Sequence, residues 1–124
     1  MKKTRHSFLK SQGYASINLK KTNTNHYQIQ ASVNNIKGIF ILDTGASNTC
    51  ADLTQETKIS KKNKLQVGKW INKSSSLVLF DLNHINNALS ERDIQKVDGI
   101  IGADTLKKGK AIIDYEKNRL YLKL

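Results

Sequence analysis

The sequence predicts an all-β fold, and three observations carry that prediction. Apolar and polar residues alternate with a period of two through Tyr14–Lys20 and His26–Val33. Short runs that look strand-like are separated by Asn-, Asp- and Gly-rich punctuation, with no proline anywhere in the chain. Helical periodicity is confined to brief stretches late in the sequence.

The first two strands flank Thr22-Asn23-Thr24-Asn25, which reads as a turn. A second turn, Asn34–Gly38, leads into Ile39-Phe40-Ile41-Leu42. Four consecutive apolar residues bounded by turn signals suit a strand buried on both faces. Leu65–Ile71 alternates and reads as one strand, and Leu77–Leu82 reads as a second buried strand. Ile85–Ile94 spaces its apolar residues at helical intervals. Val97–Ile101 leads into a short helix at Asp104–Lys108, where Asp104 reads as an N-cap. Ala111–Tyr115 and Arg119–Leu124 form a closing hairpin, and the apolar Leu120–Leu124 suits edge pairing. Residues 1–12 are basic and without period and read as a flexible arm, leaving 13–124 as one domain.

Composition narrows the function classes. The 124 residues carry 21 Lys and Arg against 10 Asp and Glu, a formal net charge of +11. Such a balance suggests an acidic partner. Only Arg5, Arg92 and Arg119 are arginines, however, and arginine is the residue that forks onto phosphates and base edges. The basic charge therefore reads as a solvated surface, and nucleic acid is not the expected partner. Cys50 is the only cysteine, so no intrachain disulfide forms. No apolar run approaches a membrane span, and no apolar segment follows the basic N-terminus as a secretory leader requires. A reducing cytoplasmic location is the default expectation. No His, Cys or Glu grouping has metal-site spacing, so neither metal nor cofactor is expected.

Two motifs carry chemistry. Asp43-Thr44-Gly45-Ala46-Ser47 ends the apolar strand, and an ionisable group at the mouth of a dry strand is costly unless hydrogen-bonded or sharing a proton. Val97-Asp98-Gly99-Ile100-Ile101-Gly102 follows some fifty positions later. Together with Ala111–Tyr115, Leu120–Lys123 and Asp81-Leu82-Asn83-His84, these motifs resemble the retropepsin-like (clan AA) aspartic proteases, in their single-domain bacterial branch. The resemblance covers about residues 26–124. It implies an acid-protease half-barrel with one or two short helices.

The resemblance also implies a catalytic Asp43, supported by Thr44, Gly45, Ala46 and Ser47, with Ile100, Ile101 and Gly102 packed beneath the loop. Each chain holds a single Asp-Thr-Gly, so it implies a homodimer with one Asp43 from each subunit, acting on a peptide or protein substrate. Relatives carry a glycine-bearing flap hairpin after the catalytic loop, whereas residues 46–67 here contain no glycine. The alternative expectation is accordingly a flap-less, catalytically weak or inactive dimer that binds extended peptides.

Overall fold

The computed structural model describes residues 4–124. Eleven strands and three short α-helices, with one 3-10 helix, occur among the described residues. Strands β1 (Tyr14–Asn18) and β2 (Lys20–Lys21) precede the long hairpin β3 (Tyr27–Val33) and β4 (Ile36–Leu42). Asn34 and Asn35 both adopt positive φ in the two-residue turn of this hairpin, a conformation asparagine tolerates better than most residues. After β5 (Cys50–Asp52) comes the 3-10 helix Leu53–Lys58, then the hairpin β6 (Asn63–Val67) and β7 (Trp70–Ser75). The chain continues through β8 (Val78–Phe80), helix α2 (Asn83–Ser90), β9 (Gly99–Ile101) and helix α3 (Ala103–Lys108). It closes with β10 (Ile112–Asp114) and β11 (Arg119–Lys123).

Two sheets result. The larger has the order β7-β6-β3-β4-β9-β5-β8, with β2 added beside β3. The smaller has the order β1-β11-β10 and is antiparallel throughout. Phe40 and Leu42 on one face of β4 join Ile29, Leu65, Ile101, Leu120 and Leu122 in the main core, which draws on both sheets. Ile41, on the opposite face, joins Ile100, Leu82, Leu89 and Val97 in a second cluster beneath α2. The end of β4 is thus buried on both sides, as its unbroken apolar run predicts.

Several expectations need correction. Residues 1–3 of the expected flexible arm lie outside the described residues, but Arg5–Ser11 forms helix α1. Thr4 caps it by accepting a hydrogen bond from the Ser7 N–H. Leu9 is buried, Arg5 pairs with Asp114 at 2.8 Å, and His6 Nδ1 meets the hydroxyl of buried Tyr121 at 3.1 Å. Leu65–Ile71 is not one strand, because the chain reverses at Gly68-Lys69 and pairs Val67 with Trp70. Leu77–Leu82 contains an edge strand rather than a buried one, with Val78 and Phe80 exposed. Leu120–Leu124 offers no free edge: β11 is the central strand of its sheet, flanked by β1 and β10.

Asp52 ties three elements together. Its Oδ1 accepts the Leu82 N–H ahead of α2, and its Oδ2 accepts the N–H and hydroxyl of Thr54 in the 3-10 helix. Burial pushes the Asp52 carboxyl up, but these hydrogen bonds and nearby Lys96 outweigh it and hold the pKa below its ordinary value. Asp114 is also held below its ordinary value, first by the Lys117 N–H and then by Arg5.

Replacing Asp52 by alanine strands the buried Leu82 N–H, an expected loss of about 1–3 kcal/mol measurable by denaturant unfolding followed at Trp70. The pH dependence has a definite sign. A carboxylate with a depressed folded pKa contributes its full stability above the unfolded value of about 3.9, and that contribution vanishes as pH falls through the folded value. Stability should therefore begin to fall below about pH 4, and more gently in an Asp52→Asn/Asp114→Asn variant.

Candidate active site

The site begins where β4 ends. Parallel pairing of β4 with β9 aligns Ile41 with Ile100 and Leu42 with Ile101. The Asp43 N–H continues that ladder by donating to the Ile101 carbonyl at 3.0 Å. The chain then turns sharply, and the Ala46 N–H returns to the Asp43 carbonyl at 3.2 Å. Within this turn the Gly45 N–H donates to Asp43 Oδ1 at 2.9 Å. The carboxylate is thus oriented by its own loop while remaining exposed. Thr44 and Gly45 are exposed beside it.

The far side of the loop is fastened to α3. The Ala103 N–H donates to the Ala46 carbonyl at 2.7 Å, and the Asp104 N–H donates to the Ser47 carbonyl at 3.2 Å. Two N–H groups left free by the start of a helix are thereby satisfied by loop carbonyls. Ser47 supports the loop through its backbone, while its exposed hydroxyl accepts from Asn48 Nδ2 at 3.3 Å. Asp104 is not the N-cap that the sequence suggests. Gly102 holds that position, and Asp104 lies in the first helical turn. Its Oδ1 accepts the N–H and hydroxyl of Thr49 at 2.8 and 2.7 Å. The Thr49 oxygen in turn accepts the Gly102 N–H at 3.1 Å and lies 2.5 Å from the Thr105 hydroxyl. Thr49 is fully buried, and sequence reasoning missed it because a lone threonine after a turn carries no distinguishing pattern.

Two glycines permit this interlock. A Cβ on Gly102 would sit 2.6 Å from the Asn48 carbonyl oxygen and 2.8 Å from that of Ala46. On Gly99, which lies between β4 and β5, it would collide with the Cys50 carbonyl and the Phe40 ring. Ile101 is fully buried and Ile100 nearly so, one in each core cluster, directly beside the strand that delivers Asp43.

An open cleft of about 470 Å³ adjoins Asp43. Thr44, Lys21, His26, Tyr27 and Tyr115 help to line it. The Tyr27 and Tyr115 rings pack at 5.8 Å, and Tyr115 is 63% exposed. These wall residues come from the β2–β3 turn and from the end of β10, which sequence separation alone does not bring together. Cys50 is partly buried, and burial, with a contribution from Asp104, pushes its thiol pKa up. Among the described residues, no group of three His, Cys, Asp or Glu side chains is placed to hold a metal, and no helix is long and apolar enough to cross a membrane.

This fold recurs in solved structures. A retropepsin-like aspartic protease from Rickettsia conorii superposes with a TM-score of 0.58 at 23% identity, over 88% of this chain and 90% of that one. The fold is retropepsin-like. The retroviral protease-like domain of Ddi1 from Leishmania major agrees, with a TM-score of 0.55 at 16% identity over 77% and 86% of the two chains. No protein-family model and no curated protein sequence matches the chain.

After the Asp-Thr-Gly loop, β5 runs into the 3-10 helix, which packs near the start of β4, at the opposite end from Asp43. The glycine-tipped hairpin that follows, β6–β7, buries Val67 and Trp70 in the main core and contributes no residue to the Asp43 cleft. The interlock itself is testable. Gly102→Ala should cost about 1–3 kcal/mol in thermal or denaturant unfolding, because the obstructing atoms are backbone and cannot swing aside.

Proposed function

We propose that this chain is one subunit of a homodimeric aspartic endopeptidase whose active site is completed by a second Asp43. The observation that carries this reading is the exposed Asp43 carboxylate, fixed by the Gly45 N–H at the rim of an open cleft on a retropepsin-like fold. The sequence holds one Asp-Thr-Gly, so a two-fold axis must supply the other carboxylate. Thr44, exposed beside Asp43, faces the task of bonding the two loops across that axis. Of the two edges of the small sheet, β10 runs toward the cleft, since Tyr115 follows it directly.

Two adjacent carboxylates cannot both ionise readily, so the pair retains one proton. The ionised Asp43 removes a proton from a bound water as the water oxygen attacks the peptide carbonyl carbon. The protonated Asp43 gives its proton to the carbonyl oxygen, forming a neutral tetrahedral diol. Collapse breaks the C–N bond: the leaving nitrogen takes up the proton that came from water, and a diol hydroxyl returns its proton to the other carboxylate, restoring the singly protonated pair. In this reading the exposed Gly45, with Ala46 beside it, lies near the backbone of an extended substrate, and Tyr27 and Tyr115 form an aromatic wall.

One observation favours a slower variant of this reading, a peptide-binding dimer of low turnover. The 3-10 helix lies away from Asp43, and the glycine-tipped β6–β7 hairpin packs Val67 and Trp70 into the core instead of lining the Asp43 cleft. A lid excludes water and adds transition-state contacts. Losing one such contact costs about 2.7–4 kcal/mol, or roughly a hundredfold to a thousandfold in rate.

Asp43→Asn should abolish cleavage of a mixed peptide library, while a chelator or a thiol-blocking reagent leaves wild-type cleavage intact. The rate should follow a bell-shaped pH profile. Cleavage surviving in Asp43→Asn would refute the assignment. Because each subunit carries +11, association should tighten as salt rises. Sedimentation showing only monomer at high protein and high salt would exclude the shared site.

A further inference from the structure

A second concavity lies at the other end of β4. The β3–β4 turn and the 3-10 helix flank a partly open cavity of about 130 Å³. Its apolar lining is Val33, Ile36, Phe40, Ala51 and Ile59. An apolar cavity of about 150 Å³ accommodates a benzene molecule, so this space suits a single apolar side chain. Lys37 and Lys58 also line it. Asp98 is the one carboxylate in the lining, and its Oδ2 already accepts the Ile39 N–H at 2.9 Å.

The surroundings are strongly basic. Asn34 Nδ2 donates to the Lys58 carbonyl at 2.8 Å, and its Oδ1 accepts the Lys64 N–H at 2.9 Å. The Lys64 ammonium reaches Asn35 Oδ1 at 2.9 Å. These bonds lock the β3–β4 turn and the bend at residues 58–64 into one unit bearing Lys37, Lys58, Lys61, Lys62 and Lys64. No acidic residue occurs between Glu56 and Asp81. Among the described residues the ion pairs are Arg5–Asp114 and Lys117–Glu116, so none of these five ammonium groups is paired with a carboxylate.

We propose that this cavity and its lysine rim form a docking site for an extended acidic peptide segment that inserts one apolar side chain. Charge complementarity selects an acidic occupant, and the apolar cavity selects a peptide over a nucleic acid. A phosphate backbone has no group to fill such a cavity. The three arginines lie elsewhere in the chain, and Trp70 is too buried to stack on a base. The site is separate from the Asp43 cleft, so both can be occupied together. It stands independently of the peptidase reading.

The test is fluorescence anisotropy with the full chain and a dye-labelled nine-residue peptide, one central leucine flanked by glutamates. Binding should weaken with salt. It should fall by about tenfold or more in Lys37→Glu/Lys58→Glu, whose side chains lie at the surface. Ile36→Asp, at a position 43% exposed, should weaken it similarly with the fold intact by circular dichroism. Replacing the peptide's leucine by serine should also cost about tenfold. Asp43→Asn should bind as wild type does, which separates this result from any result on hydrolysis. The proposal is overturned if the leucine peptide does not bind, if the serine peptide binds equally, if the lysine reversals have no effect, or if a single-stranded oligonucleotide of equal charge binds more tightly.

Discussion

Backbone-to-backbone contact between residues 46–50 and residues 99–104 is the constraint on which the rest of the structure depends. The Ala46 and Ser47 carbonyls accept from the first N–H groups of α3, and Gly99 and Gly102 let the two segments approach without an intervening side chain. Thr49 adds side-chain bonds to the same crossing, a part-buried one to Asp104 and a buried one to Thr105. Such contacts hold the chain more rigidly than apolar packing does, because hydrogen bonds in a dry environment have directional preferences and leaving them unmade is costly. The position of Asp43 follows from this crossing. β4 delivers the residue, β9 fixes its N–H, and the turn to Ala46 leaves the carboxylate facing solvent.

Much of this arrangement was legible in the sequence, for physical reasons that differ between elements. Ile39–Leu42 was readable because a strand covered on both faces must be apolar at every position. A turn starting at Asn34 was readable because positive φ favours asparagine, but it spans only Asn34-Asn35, and Ile36, Lys37 and Gly38 belong to β4 instead of to the turn. The Leu77–Leu82 run was misread because local hydrophobicity does not distinguish a central strand from an exposed edge. That distinction depends on whether a further strand lies beyond β8. Leu65–Ile71 was misread because apolar residues lie on both sides of the Gly68-Lys69 reversal, so the break resembles continued alternation. Helix α1 buries Leu9 alone, which leaves no period to detect, and its docking partners Asp114 and Tyr121 are more than a hundred residues away.

The candidate site divides in the same way. Asp43, Thr44 and Gly45 are contiguous, so their motif could be read directly. Lys21, His26, Tyr27 and Tyr115 enter the cleft through the fold alone. Asp104 shows the limit of a local rule. An aspartate just before a short helix suggests a cap, but here the carboxylate bonds a threonine fifty-five positions earlier, and the helix start is satisfied by carbonyls instead. A capping preference describes a helix in isolation, and it gives way when another segment supplies the acceptors.

The central place of β11 in the small sheet bears on how the protein acquires its shape during synthesis. Tyr14 pairs with Lys123 and Asn18 with Arg119, so β1 has no in-sheet neighbour until residues 119–123 have left the ribosome. The β3–β4 hairpin can zip as soon as it emerges, since its partners are close in sequence. Until residues 119–123 emerge, the nascent chain therefore holds a formed hairpin together with a strand, β1, that waits for β11. Neither β1 nor β10 can complete the small sheet before β11 is made, so the sheet assembles in one event.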